Sequence, residues 1–429
     1  MKLCTQAIAA LLFTAAAHAL PPKVTYDGTK VLRVETSESA QAAESLKNII
    51  TNLQLPLWTQ VVRPNTHVDF EVPKEKLAAF EEAISGQFTY STMHEDLGAS
   101  IREESGDSFR TLDYRPSAVD LSWFNAYHPY ADHLTWLDQI VAKFPANSEI
   151  ITAGASYQGR AITGIHIYGS GGKGSKPAAI FHGTVHAREW ITTMTAEYVA
   201  YSLLNNYKNS TEVKSYVDSY DFYIFPVVNP DGFVYTQTTQ RLWRKNRQPT
   251  SGSTCIGHDI NRNWNAFWAV TGGASTDPCS ETFKGATAGD TPEYKGLSTF
   301  QNALASSSVG AKFYMDWHSY SQLFMTPYGY SCTARSADNT ELVSLATGAA
   351  AAIKAVYGTS FEAGPICTTI YQATGGSVDY SYDVSKIKYS FTAELRDTGA
   401  NGFVLPANQI LPSGIESWAA IRYIFSNMK

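Results

Sequence analysis

Beyond its first twenty residues the chain has no apolar run near the roughly 18 residues that crossing a bilayer takes, so no membrane anchor is expected. It has no basic excess. The 33 Lys+Arg stand against 39 Asp+Glu for a net charge of -6, which argues against a nucleic-acid partner. No internal repeat, heptad or low-complexity tract is present. None of the cysteines has C-x-x-C spacing, so a thiolate zinc site is not indicated. There is no G-x-S-x-G elbow and no H-E-x-x-H helix, which removes the usual serine-hydrolase and zincin signatures. Charged residues are only 17% of the 429 and apolar ones 44%, the balance of a folded chain of two or three domains.

What is present begins with an export signal. Lys2 supplies positive charge, Ala7 to Ala17 a short apolar stretch, and Ala17-His18-Ala19 a small-residue cleavage site, so a signal peptide over 1–19 and a soluble, extracellular product are expected. Cys4 leaves with that leader. Cys255, Cys279, Cys332 and Cys367 remain, an even number in an oxidising compartment, with three pairings open. One sequon, Asn209-Ser210-Thr211, could carry a surface glycan.

Residues 20–112 read as one small α+β open sandwich. Strands are predicted at Val31–Val34, Leu57–Val61, His67–Val72 and Phe88–Met93, with helices at Glu38–Thr51, Lys74–Ile84 and Leu97–Glu104. This part is acidic, ten basic against fifteen acidic side chains over 20–115. A polar segment from Glu103 to Asp113 follows, with Arg110 and Arg115 as candidate protease sites. From about residue 113 to 429 apolar strands alternate with amphipathic helices, an α/β domain with a central sheet covered on both faces. Its strands are predicted at Ala178–Val185, Phe222–Val228, Lys312–Trp317 and Lys388–Leu395.

The chemistry-bearing residues cluster at the ends of those strands. His186 and Glu189, three apart at a strand-to-helix turn, can aim at one point where ligands of open α/β sheets bind. His318 follows another strand, and two imidazoles with one carboxylate suit zinc with a position left open. Glu394 sits inside the apolar run Ser390–Leu395, where a carboxylate is costly unless it is used. Arginines interleave with tryptophans in Arg241–Arg247 and Asn261–Trp264, a pattern suited to part-buried guanidiniums that bind carboxylates.

Taken together, these residues resemble the zinc metallocarboxypeptidases of the pancreatic carboxypeptidase A/B type. The resemblance runs from about Trp123 to Lys429. It is carried by His186-Ala187-Arg188-Glu189-Trp190, Asn229-Pro230-Asp231-Gly232, Arg241 to Lys245, Asp259 to Trp264, His318 to Gln322, Thr369 to Gln372 and Glu394 to Gly399. Residues 20–112 are similar to that family's activation domain. The resemblance implies a mixed eight-stranded sheet flanked by helices, one Zn2+ held by His186, Glu189 and His318, and Glu394 as general base. It gives Arg244 the role of polarising the scissile carbonyl, and Asp259 that of orienting a ligand histidine. Asn261, Arg262 and Tyr371 match the clamp on the substrate's terminal carboxylate, and Arg188 a contact upstream of the scissile bond. Ser319, Tyr320 and Phe403 join the substrate contacts. Disulfides Cys255–Cys279 and Cys332–Cys367 are implied, as are cis peptides at Ser319-Tyr320, Pro327-Tyr328 and Arg396-Asp397.

The family's fold further implies a monomeric exopeptidase, acting on peptide and protein C-termini and secreted as a zymogen. An activating protease would cut between about residues 105 and 119, where no Lys-Arg pair marks a site. The side-chain pocket matches Ile366, Val378 and Thr392. Relatives that release Lys or Arg carry an Asp where this chain has Val378, so hydrophobic and aromatic C-terminal residues are the expected substrates. A non-catalytic peptide-binding relative would be expected to lack Glu394, a metal ligand or Arg244, and all are present.

Overall fold

A computed structural model describes residues 23–106 and 119–429. The leader and most of the linking segment, with Arg110 and Arg115, lie outside the described residues. Among the described residues no helix is long and apolar enough to cross a membrane.

The N-terminal part is a three-stranded antiparallel sheet, β1 (Lys30–Glu35), β2 (His67–Val72) and β3 (Tyr90–His94), in the order β2-β1-β3. Helices Ala40–Asn52 and Leu77–Ile84 cover it, burying Leu46, Ile50, Phe80 and Ile84 against Leu32, Val34, Val68 and Phe70. The strand expected at Leu57–Val61 does not form. Leu57 makes only an isolated bridge to Phe70. Its neighbour Trp58 turns the other way, out of this core and into the contact with the second domain. Adjacent apolar side chains mimic a strand here, but Leu57 and Trp58 belong to different cores.

The second domain is the expected mixed eight-stranded sheet. In chain order its strands are β4 (Ser148–Ala155), β5 (Ala161–Ile167), β6 (Ala178–Gly183), β7 (Asp221–Phe225), β8 (Ala311–Ser319), β9 (Leu323–Thr326), β10 (Glu362–Pro365) and β11 (Tyr389–Leu395). They lie in the order β10-β9-β11-β8-β6-β7-β5-β4. The four central strands, β11, β8, β6 and β7, are mutually parallel, while β9 and β5 run against them. Strands buried on both faces read as continuous apolar runs, and β6 and β7 have no exposed residue. One core packs helices Trp190–Asn206 and Ile410–Asn427 on one face of the sheet, and another packs helix Pro292–Ala305 on the opposite face. Strand order reverses around β6, since β7 follows on one side and β8 lies on the other. That places a crevice at the carboxyl ends of β6, β8 and β11.

Both disulfides are formed, Cys255–Cys279 and Cys332–Cys367. The peptides Ser319-Tyr320, Pro327-Tyr328 and Arg396-Asp397 are cis.

Candidate active site

β6 ends at Gly183, where a Cβ would lie 2.8 Å from the Pro226 carbonyl and 3.0 Å from that of Thr192, so only glycine lets the chain turn this closely. The turn delivers His186, and Glu189 caps helix Trp190–Asn206. Asn229 ties the turn down, donating to the carbonyls of Val185 and Lys245, and the Ala187 N–H donates to the Arg244 carbonyl. The ligand loop and the arginine loop are thereby one unit, which accounts for the Asn229-Pro230-Asp231-Gly232 motif.

His318 lies inside β8 rather than after it, because parallel pairing with β11 extends to Ser319 and Leu395. The same register sets Glu394 opposite His318. One nitrogen from each imidazole and one Glu189 oxygen lie within 4.8 Å of one another, and all three residues are buried. His186 Nδ1 is 2.9 Å from Glu189 Oε1, His318 Nδ1 is 3.2 Å from Glu189 Oε2, and the two Nδ1 atoms are 3.0 Å apart. Both imidazoles thus turn Nδ1 inward and Nε2 outward. Two imidazoles and a carboxylate at this spacing fit the ligand preference of zinc.

Each outward nitrogen meets a carboxylate. His186 Nε2 is 3.1 Å from Asp259 Oδ1, the residue that the family resemblance places beside a ligand histidine. His318 Nε2 is 3.1 Å from Asp316 Oδ2, a contact the sequence reading misses. The signal was available, since Asp316 interrupts the apolar run Phe313–Trp317 just as Glu394 interrupts its own strand. Arg244 donates to Asp259 Oδ2 from Nε at 3.3 Å and Nη2 at 2.9 Å, and its Nη1 lies 3.8 Å from Glu189 Oε1. Burial penalises the Glu189 charge, but His186 and then His318 outweigh it and hold the carboxyl well below its ordinary range. Burial instead pushes Glu394 up to about 8, with Glu189 adding to the rise and His318 opposing it.

Beside this centre opens a pocket lined by Asn261, Arg262, Ile366, Tyr371, Val378, Thr392 and Glu394. Asn261 and Arg262 form a single tight turn, capped by Asp259. Arg262 Nη1 donates to the Asn261 carbonyl at 2.9 Å, while its Nε has no hydrogen-bond partner among the described residues. Tyr371 faces that guanidinium at 5.8 Å. The pocket also contains a carboxylate, Asp379, which the sequence reading passes over. It braces the wall rather than offering charge, because its oxygens accept the Gly329 and Tyr330 N–H groups at 3.0–3.1 Å.

The remaining predicted substrate residues lie under the N-terminal domain. Tyr320 donates to Asp69 Oδ2 at 2.5 Å, and Asp69 also takes a bidentate pair from Arg33 at 2.7 and 2.6 Å. Arg188 stacks 4.0 Å from the Phe403 ring and donates to the Trp58 carbonyl at 3.4 Å. Trp58 packs 5.2 Å from Phe403. Gly402, with φ of +58°, leaves no room for a Cβ beneath that indole. Glu104 pairs with Arg241 at 2.6 and 2.7 Å. Behind these contacts a cavity of about 390 Å³ reaches Ser319, Tyr371 and Glu394. The N-terminal domain therefore covers the approach to the site without filling it.

A titratable group sits in this contact. Burial pushes the Glu71 carboxyl up to about 7, while the Trp58 indole N–H and the Arg188 charge pull it down and Glu281 pushes it up. The docked domain then holds the Glu71 proton more tightly than a released domain with an ordinary carboxyl. Docking is strongest below that ordinary range and weakens as pH rises toward 7. Nicked protein is expected to hold its two parts together at about pH 5 and to shed the N-terminal part more readily at about pH 8 on gel filtration. A Glu71→Gln variant should lose that dependence.

The chain is similar to known proteins over nearly its whole length. A profile of the zinc carboxypeptidase family matches residues 133–420, and one of the carboxypeptidase activation peptide matches residues 32–104. Metallocarboxypeptidase A of Trichophyton rubrum is 49% identical over 394 residues, 92% of each chain. Rat carboxypeptidase A2 is 37% identical over 408 residues, covering 94% of this chain and 95% of its own. The crystal structure of carboxypeptidase A from Helicoverpa armigera superposes with a TM-score of 0.80 at 25% identity, over 94% of this chain and 99% of that one. The chain belongs to the zinc carboxypeptidase family and is a peptide-bond hydrolase made with an activation domain.

Proposed function

We propose that the activated protein releases hydrophobic and aromatic residues from peptide C-termini, with His186, Glu189 and His318 holding one zinc ion. The observation that carries this reading is the convergence of those three donors beside Glu394. Arg262, with Asn261 and Tyr371, grips the terminal carboxylate. Its guanidinium, with Nε unfilled, suits a carboxylate contact, and a mid-chain peptide has no carboxylate to offer it. The last side chain then rests against Ile366, Val378 and Thr392, while Arg244, on the adjoining cavity, faces the scissile carbonyl. Glu394 takes a proton from the attacking water and passes it to the leaving amine, a role that suits a buried carboxyl set opposite a metal ligand. When bound, the zinc ion supplies Lewis acidity to the carbonyl and to the water. Arg188, Ser319, Tyr320 and Phe403 hold the upstream residues once the N-terminal domain has left.

The same reading has the chain exported with a leader over 1–19, an activation domain over 20–112 and a catalytic domain over 113–429 acting as an extracellular monomer. N-terminal sequencing of secreted protein tests those limits. The activity itself is tested by release of Phe from a blocked dipeptide, before and after proteolytic activation, with and without chelator. Release should rise on activation and stop with chelator. Chelator-resistant activity would remove the metal reading, and faster release of Lys than Phe would remove the proposed preference.

Val378 gives a sharper test of that preference. A Val378→Asp variant places a carboxylate at the pocket floor, where an apolar side chain leaves it buried and unpaired. Release of Phe should fall by roughly tenfold or more, and release of Lys or Arg should become measurable. Unchanged ratios would place the selecting wall elsewhere.

A further inference from the structure

We infer that Asp316 is a positioning residue that orients His318 toward the metal and couples that ligand to the floor of the side-chain pocket. This rests on the proposed ligand set. Asp316 and His318 are two apart on β8, so their side chains leave the same face of the strand. Asp316 is 1% exposed, and its Oδ2 lies 3.1 Å from His318 Nε2. An imidazole that binds a cation through the Nδ1 lone pair carries its proton on Nε2, and a carboxylate there fixes both tautomer and ring direction. Asn261 Nδ2 also lies 3.2 Å from His318 Nε2, but two N–H groups cannot serve each other. In the metal-binding tautomer the acceptor for His318 is therefore Asp316. The two ligand histidines then have matching partners, Asp259 on His186 and Asp316 on His318, at the same 3.1 Å.

The other contacts of Asp316 lead to the pocket. Ser377 Oγ donates to Asp316 Oδ2 at 2.5 Å, and Thr392 Oγ1 donates to the Asp316 carbonyl at 2.8 Å. Ser377 precedes the pocket-floor residue Val378, and its own N–H donates to Asn261 Oδ1 at 2.9 Å. One carboxylate thus connects a metal ligand, the pocket floor and the turn that carries the carboxylate clamp. Asp316 Oδ1 has no partner among the described residues. A buried carboxylate half unfilled is costly, which is hard to explain by packing alone.

The test compares zinc affinity, by competition with a chelator, in activated wild-type enzyme and in Asp316→Asn, Ser377→Ala and His318→Ala variants. Melting of each zinc-free protein is measured alongside. Asp316→Asn should weaken zinc binding by about 10–100-fold, with zinc-free melting near that of wild type. Ser377→Ala, a smaller cut, should weaken it several-fold and raise KM for a Phe substrate. His318→Ala should abolish stoichiometric zinc. If His318→Ala loses zinc but Asp316→Asn binds it within twofold of wild type, the ligand set stands and the role of Asp316 is overturned. If His318→Ala keeps one zinc per chain, the ligand set itself is wrong. Should Asp316→Asn not fold, wild-type zinc affinity in Ser377→Ala overturns the coupling to the pocket.

Discussion

Replacing Glu394 with Gln should lower kcat by about 10²–10⁴-fold while zinc content and KM stay near the wild-type values. The substitution keeps shape and the register of β11 against β8, so the ligand set opposite is undisturbed. What is lost is the ability to accept a proton. An amide cannot take one from the attacking water, nor return it to the leaving amine. The same replacement removes a buried carboxyl from the neighbourhood of Glu189, whose charge pushes Glu394 up. The folded protein should therefore be no less stable, and increasingly more so as pH rises from the ordinary carboxyl range toward about 8, because wild type must hold that proton or bury the charge. Loss of activity with full zinc and melting no lower than that of wild type separates a chemical role from a structural one. Full activity in this variant would revive the reading of a relative that binds peptides by other means.

The second large effect is expected at Arg262. Truncation to Ala removes the only guanidinium among the described residues that line the pocket and leaves the substrate carboxylate enclosed without its partner. Breaking a desolvated charge pair in this way costs about 2–5 kcal/mol, so kcat/KM should fall by roughly 30-fold to several thousand-fold. Because the clamp positions the whole substrate, part of the loss should appear in kcat as well as KM. Blocking the substrate's carboxylate as an amide should cost wild type a similar factor and cost the variant little. A variant that hydrolyses acid and amide substrates with the wild-type ratio would show that the carboxylate is held elsewhere.

How far the sequence reveals this molecule depends on what each residue's neighbours demand. The central strands were legible because burial on both faces forces continuous apolar runs, as in Ala178–Gly183 and Asp221–Phe225. The edge strand Ser148–Ala155 carries a mixed, half-exposed sequence, and in its neighbour Ala161–Ile167 Thr163 and Gly164 interrupt the apolar run, so neither gave such a signal. The four-residue strands Leu323–Thr326 and Glu362–Pro365 are too short for a period to show. Leu57 and Trp58 misled because one packs into the core of its own domain and the other into the contact with the second domain, with no sheet between them. At the site, spacing pointed to His186 and Glu189, and an isolated charge in an apolar strand pointed to Glu394. The same argument applied to Asp316 would have found it. Nothing local marked Asp69 or Glu71 as residues that meet the catalytic domain, since their contacts lie across more than a hundred residues of chain.

Everything turns on one ion shared by His186, Glu189 and His318, and diffraction recorded at the zinc absorption edge from crystals of the activated enzyme addresses it directly. The account predicts one strong anomalous peak per chain, about 2.0–2.1 Å from Nδ1 of both histidines and about 2.0–2.2 Å from a Glu189 oxygen. A peak bound through other residues, or none in enzyme that still hydrolyses a blocked dipeptide, would contradict it.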